Sequence, residues 1–254
     1  MPAIAGVPPT PGGQVSTIRV MTYNVRRCRG GDGRVDPDRI LKVIGAGAPD
    51  IVALQEVDGR SVSWLAQRLG MQSYGGFRDE GNAYLSYYPL KGVQEFFLGH
   101  GGSCLRADTE VDGKRLHLFA VRFNPALKGR PEEIATLLGP ALLGNRSVVC
   151  PTLILGDFGD FFWGAGNVGL ALALRKMPRQ LWNGTYPARF PLTGRDRAYL
   201  RGDLRIVDSR ILRSSLARQA SSHLPLVLTV QIVDPRKHLR VEKLQRGRME
   251  IAPG

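Results

Sequence analysis

Thr152-Leu153-Ile154-Leu155-Gly156-Asp157-Phe158-Gly159-Asp160 joins an apolar run directly to two carboxylates. Its apolar residues, bounded by Pro151 and Gly156, have the length and composition of a buried strand, and the run ends in carboxylates. A buried strand that ends in acid delivers the acid to the rim of a sheet, where α/β folds keep their chemistry. Taken by themselves, Asp157 and Asp160 are equally well explained as turn and helix-cap residues. The choice between these readings depends on whether other strand ends supply partners for Asp157.

Working outward, they do. Residues 50–55 form a second apolar strand that runs straight into Glu56 and Asp58, and residues 17–23 alternate with a period of two before Asn24. Ser222 and His223 stand immediately before a final strand at 225–233. Between these come a helix opened by Asp36 and Pro37 and stopped by Gly45 and Gly47, and a helix over 61–69 closed by Gly70. Strands are predicted at 81–86, 93–98 and 103–111, and the turn Asp112-Gly113 leads into a strand over 115–122. A helix from Pro131 that ends by Pro140, a helix over 168–175 and a strand over 195–200 complete the pattern. Early helices between strands, with hairpins in the middle, predict an α/β fold of two mainly antiparallel sheets packed face to face with helices outside. No repeat or internal boundary divides it. Residues 17–233 are read as one domain, 1–16 as a flexible lead-in and 234–254 as a basic tail.

The chain has 254 residues, 43% hydrophobic, with a mean hydropathy of −0.13. No apolar run approaches the roughly 20 residues a membrane-spanning helix needs, and residues 1–16 lack the basic start and apolar middle of a secretory signal. Cys28, Cys104 and Cys150 form no Cys-x-x-Cys pair. This favours free thiols in a reducing compartment over a zinc site or a disulfide framework. The expected location is the cytoplasm, with peripheral attachment to a membrane as the variant. A net charge of +13 and a pI near 10.2 favour a polyanionic partner: nucleic acid, an anionic phospholipid surface or a phosphorylated small molecule. The basic residues group as Arg26, Arg27, Arg29 and Arg34; as Arg195, Arg197, Arg201 and Arg205; and along the tail from Arg236 to Arg248.

Thr22-Tyr23-Asn24-Val25, Leu54-Gln55-Glu56-Val57-Asp58, Gly81-Asn82-Ala83 with Leu85-Ser86, Leu155-Gly156-Asp157-Phe158 and His223-Leu224-Pro225-Leu226 together resemble, in order and spacing, the endonuclease/exonuclease/phosphatase superfamily of deoxyribonuclease-I-like fold. The resemblance runs from about Ile18 to Val233 and implies a four-layer α/β sandwich whose strand ends surround a magnesium ion, with manganese as a substitute. Mg²⁺ takes hard oxygen ligands and keeps several waters, so one or two carboxylates suffice. By this resemblance Glu56 is the principal metal ligand with Asn24 beside it. His223 is the general base, Asp157 positions the nucleophile or assists proton transfer, and Asp196 supports them. The Arg29-Gly30-Gly31-Asp32-Gly33-Arg34 loop and Thr185-Tyr186-Pro187 look like a bacterial branch that includes phospholipid-related phosphodiesterases.

Three positions depart from the family's pattern. Arg122 stands where a phosphate-contacting histidine is usual, Gly159 where an asparagine helps bind phosphate, and Ser222 where an aspartate is expected to orient the base histidine. One lost phosphoryl donor costs on the order of 3 kcal/mol, and a lost carboxylate behind a base histidine as much as ~10⁴-fold in a comparable dyad. Arg122 in turn suits a phosphate well. Two functions are therefore implied: a Mg²⁺-dependent phosphodiesterase or phosphatase of reduced activity, or a non-catalytic relative that binds nucleic acid, phosphorylated ligand or anionic membrane through a basic face.

Overall fold

The computed structural model describes residues 16–149, 151–159, 167–176 and 184–233. Cys150, Asp160, the lead-in and the basic tail, each singled out in the sequence, lie outside the described residues, save Ser16 at the lead-in's end.

Among the described residues, twelve strands form two six-stranded sheets. The first contains β1 (Ser16–Asn24), β2 (Ile51–Val57), β3 (Gln72–Gly75), β4 (Gly81–Ser86), β11 (Leu204–Ile211) and β12 (Leu226–Ile232), in the order β11-β12-β1-β2-β4-β3. The second contains β5 (Lys91–Gly99), β6 (Gly102–Val111), β7 (Lys114–Arg122), β8 (Thr152–Asp157), β9 (Arg175–Lys176) and β10 (Asp196–Arg201), in the order β5-β6-β7-β8-β10-β9. Each sheet is mixed. β1 runs parallel to β2 and β7 parallel to β8, while their remaining pairings are antiparallel. Each parallel pair is joined through a helix, since a parallel return needs a crossover. These helices are α1 (Pro37–Gly47) and α3 (Arg130–Leu138).

The core is layered accordingly. Ile18, Val20, Leu105, Leu118, Leu153 and Leu228 meet between the sheets. On the outer face of the first sheet, Met21, Tyr23, Leu54 and Leu85 pack against α1, α2 (Gly59–Leu69) and α5 (Ser215–Ala220). On the outer face of the second, Phe119, Val121 and Ile154 pack against α3 and α4 (Val168–Ala173). Ile18 and Val20 alternate with Met21 and Tyr23 in facing because strand side chains change face at every residue, and here both faces are covered. Each such aliphatic side chain contributes on the order of 2 kcal/mol when fully buried. The arrangement is helix, sheet, sheet, helix, the sandwich expected from the sequence.

Local signals account for most element ends. Asp36 caps α1 by accepting from Arg39 N–H, Asp58 caps α2 through Ser61 N–H, and Gly70 ends α2 in the left-handed conformation. Asp112 and Gly113, at φ 49° and 73°, make the tight turn between β6 and β7. Gly45, expected to stop α1, lies inside it; the helix runs on to Gly47 and ends where Ala48 turns left-handed. β3, β9, β11 and α5 carry no sequence expectation, and the helix expected over 168–175 ends at Ala173, with Arg175 opening β9. β3 and β11 are edge strands, and Arg205, Asp208, Ser209 and Arg210 of β11 are all exposed, so the alternation that marks a half-buried strand is missing.

Candidate active site

Because β1, β2, β7 and β8 end, and β4, β6, β10 and β12 begin, at the same edge of the sandwich, one rim collects the polar residues of both sheets. Asn24 closes β1 and Glu56 lies near the end of β2. Asp157 closes β8, Asp196 opens β10, and His223 precedes β12. These five converge on one another.

Asp157 is the hub. It is fully buried and accepts hydrogen bonds from Asn24 Nδ2 at 3.0 Å and Gly159 N–H at 2.9 Å, and from Arg195 through Nε at 3.2 Å and a terminal nitrogen at 2.9 Å. Arg195, only 5% exposed, also lies with its guanidinium 4.7 Å above the Tyr186 ring. Burial by itself pushes the Asp157 carboxyl up. The charges of His223 and Arg195 and the Gly159 and Asn24 donors outweigh it, holding the group below the usual carboxylate range. A carboxylate so fully bonded and charge-compensated is an anchor for its neighbours rather than an open proton acceptor.

His223 sits between two carboxylates. Nδ1 is 2.9 Å from Asp196 Oδ2, and Nε2 is 3.7 Å from Asp157 Oδ2. Asp196 is itself fixed, donating its backbone N–H to Thr185 Oγ1 at 3.1 Å, and the Tyr186 ring lies 4.8 Å from the imidazole. Burial disfavours an imidazolium here, but Asp196 and then Asp157 outweigh it, so the imidazole is held above its ordinary value. Asp196 and His223 belong to different sheets, as do Asn24 and Asp157, so the site also ties the two sheets together at this rim.

Glu56 differs from these buried groups. It is half-buried, and its Oε1 accepts from Asn24 Nδ2 at 2.9 Å; Oε2 makes no hydrogen bond among the described residues. Its backbone is left-handed, φ 52°, at a bulge where the pairing of β2 with β4 shifts between Leu54 and Val57. A non-glycine residue in this region costs on the order of 1 kcal/mol, and the bulge aims its side chain at the rim instead of continuing the ladder. Val25 N–H still bonds Gln55 O at 3.0 Å, so the bulge is stitched to the end of β1.

The donor set accommodates a hard cation through Glu56. Among the described residues no group of three or more His, Cys, Asp or Glu side chains is placed to hold a metal. Mg²⁺ does not require one, since it is commonly held by one or two carboxylates and waters. Asn24, expected as a ligand beside Glu56, does stand beside it, but its amide oxygen accepts from Arg26 N–H at 3.0 Å. What it turns toward Glu56 and Asp157 is its NH₂ group, the orientation its partners dictate.

The three departures resolve differently. The orienting carboxylate expected to be missing at Ser222 is present, because Asp196 occupies that role against His223, while the Ser222 carbonyl accepts from Ala188 N–H at 2.7 Å. A larger residue at Gly159 would require its surroundings to shift. The Gly159 φ is +57°, and a Cβ there would lie 2.9 Å from the Asn124 carbonyl oxygen and 2.8 Å from the Arg130 guanidinium. Buried Arg130 fills this region, donating to Phe158 O at 2.6 Å, Asn124 O at 2.5 Å and Asn167 Oδ1 at 3.0 Å and pairing with buried Glu133 at 3.2 Å. Arg122 is at the rim. One terminal nitrogen donates to Gly101 O at 3.3 Å, and among the described residues its buried Nε has no hydrogen-bond partner. Nearby, Asn82 donates to Ser103 Oγ and to Ala120 O, and its buried amide oxygen finds no partner among the described residues.

Ser103 is a site residue that no sequence expectation singles out. Thr185 stands in the motif Thr185-Tyr186-Pro187, and Arg195 and Arg197, which stand in a basic cluster of the sequence, are 5% and 1% exposed. An arginine next to an aspartate at a strand start was the available signal for Arg195.

Comparison with known proteins agrees with this geometry. The profile of the Endonuclease/Exonuclease/phosphatase family matches residues 21–223. An endonuclease/exonuclease/phosphatase from Beutenbergia cavernae is similar in structure, with a TM-score of 0.70 at 20% identity over 85% of this chain and 72% of that one. The mannosyl-6-phosphatase Bt3783 of Bacteroides thetaiotaomicron gives 0.71 at 17% identity, covering 84% and 99% of the two chains. D. rerio TDP2 complexed with single strand DNA product gives 0.67 at 15% identity, covering 85% and 99%. No curated protein sequence matches the chain. With the family profile spanning both Asn24 and His223 on a two-sheet sandwich, the chain belongs to the Endonuclease/Exonuclease/phosphatase family.

Proposed function

We propose that this protein is a Mg²⁺-dependent phosphoric ester hydrolase, a phosphodiesterase or phosphatase, with Glu56 holding the cation and Mn²⁺ able to replace it. The observation that carries this reading is His223, bonded to Asp196 through Nδ1, with Nε2 turned to Asp157 on the rim that also presents Glu56. Relatives of the same fold that handle phosphate esters, the mannosyl-6-phosphatase and the TDP2 seen with a DNA product, support it from outside.

In this reading Asp196 accepts the Nδ1 proton and so leaves Nε2 as the basic nitrogen, which takes a proton from the attacking water. Asp157 holds His223 and Arg195 in place. Arg122 meets a phosphoryl oxygen through its guanidinium at the rim. When bound, the cation supplies Lewis-acid charge against the phosphoryl and leaving-group oxygens. Turnover is below that of a site with a full donor set, because Gly159 brings no side chain. One observation favours a second reading, a non-catalytic binder of phosphorylated ligands: Asp157 is already fully bonded and has little left for a substrate.

The test is hydrolysis of a bis-aryl phosphodiester by the purified protein with Mg²⁺ or Mn²⁺, alongside Glu56→Ala. Metal-dependent turnover that falls at least a hundredfold in the variant supports the hydrolase. Turnover unchanged by Glu56→Ala rejects it, and absence of turnover with retained phosphate binding favours the binder.

A further inference from the structure

Three loops around the site each carry an exposed arginine directly beside an exposed apolar residue: Arg34 with Val35, Phe77 with Arg78, and Arg189 with Phe190. Val35 is 56% exposed, Phe77 70% and Phe190 71%, with Leu192, two residues on, at 56%. The loops (residues 25–36, 76–80 and 184–195) leave the strand ends that build the site, and side-chain bonds tie them to one another. Arg189 donates to Gly31 O at 3.3 Å, and Arg27 forms an ion pair with Glu80. Of the acidic residues in these loops, Asp32 and Asp36 are paired with Arg39 and Glu80 with Arg27, leaving Asp79 as the exposed carboxylate outside such pairs. Outside the loops, Glu95 of β5 lies 3.5 Å from Arg78, which is itself largely exposed; the rim thus presents apolar tips beside arginines around the proposed phosphate site.

We propose that this rim is a docking surface for an anionic lipid bilayer, which presents the phosphate ester of a headgroup to the site; the second half of this statement rests on the hydrolase reading above. Apolar tips enter the headgroup boundary while flanking arginines meet lipid phosphates, the combination that gives reversible interfacial binding. Single-stranded nucleic acid, the other polyanion, is recognised by aromatic platforms along a basic groove. Val35 and Leu192 cannot stack on a base, whereas aliphatic and aromatic tips serve equally well in an acyl boundary. Among the described residues no helix is long and apolar enough to cross a membrane, so attachment through this face would be peripheral.

Flotation of the full chain with vesicles of phosphatidylcholine alone, or with about one-third phosphatidylglycerol, tests the surface. Binding is expected to the anionic vesicles and to weaken with salt. Phe77→Ser with Phe190→Ser weakens it on the order of tenfold. Arg78→Glu and Arg189→Glu each weaken it about fivefold or more. Leu172→Ser, on α4 and 84% exposed, leaves it unchanged. All of these variants alter exposed side chains, and an unchanged melting temperature confirms that they fold. No preference for anionic vesicles overturns the proposal. So does binding that survives the loop substitutions, which would place it on the basic tail retained in every variant. Retention on single-stranded DNA that the loop substitutions abolish, without vesicle binding, overturns it in favour of nucleic acid. The bis-aryl phosphodiester assay keeps the two readings apart. Turnover without vesicle binding removes the docking surface alone, and loop-dependent vesicle binding without turnover removes the hydrolase alone.

Discussion

Among the described residues two histidine–aspartate pairs stand out, one on the rim and one far from it on the second sheet. His223 Nδ1 is 2.9 Å from Asp196, and His117 Nδ1, near the start of β7, is 2.5 Å from Asp108. Both imidazoles are almost fully buried, at 3% and 5% exposure. The difference lies on the opposite nitrogen. His223 Nε2 faces Asp157 beside Asn24, Glu56 and Arg195, whereas His117 Nε2 is buried without a hydrogen-bond partner. The aspartates differ as well, since Asp196 is fully buried and Asp108 is 34% exposed in its side chain. A histidine–aspartate pair is therefore not in itself a catalytic signature. What distinguishes the rim pair is the set of charges the free nitrogen looks onto.

The comparison breaks most visibly by truncation. His223→Ala is expected to lower turnover of the phosphodiester about 10²–10⁴-fold, while His117→Ala leaves it within about twofold. An equal loss from both variants, in proteins with native melting curves, would erase the distinction. Asp196→Asn should lower turnover about a hundredfold by removing the charge that orients the imidazole, and Asp108→Asn should not alter it, as steady-state kinetics will read. Arg195→Ala acts on stability. It leaves a fully buried Asp157 without its guanidinium and is expected to cost about 3–5 kcal/mol in urea unfolding, so a loss below about 1 kcal/mol would remove Arg195 from the hub. The smallest effect concerns position 159. Gly159→Asn restores the family's residue type, yet φ of +57° and the nearby Asn124 carbonyl oppose it. It is expected to cost about 1 kcal/mol or more in stability and to add no activity.

Much of the rim was legible in the sequence. Asn24, Glu56, Asp157 and His223 each terminate or precede an apolar run, and the resemblance of their motifs, in order, to a known family placed them together. What the sequence hid was pairing across the two sheets. Asp196 stands 27 residues before His223, and no periodicity announces that β10 and β12, in different sheets, bring them to 2.9 Å. The gap expected at Ser222 followed from reading the carboxylate locally, from the adjacent residue. Gly159 looked like a deletion in the site, but it is a place where α3 delivers Arg130 against the β8 loop, a contact 29 residues apart in the chain. The arginine cluster around Arg195 and Arg197 misled for a physical reason. Charge in a sequence suggests exposure, and only the fold shows that these guanidiniums are buried beside carboxylate and carbonyl partners.

The most direct measurement of the central claim is the pH dependence of kcat/KM for the phosphodiester at saturating Mg²⁺, in the unmodified protein and in Asp196→Asn. In the proposed mechanism His223 acts in its neutral form. Asp196 and Asp157 hold its imidazole above the ordinary value, so activity should rise with pH along a limb whose midpoint lies above about 6.5. Removing the Asp196 charge should move that midpoint downward. A limb at or below the ordinary imidazole value, or one that Asp196→Asn leaves in place, would contradict the assignment of His223 as the base poised by this rim.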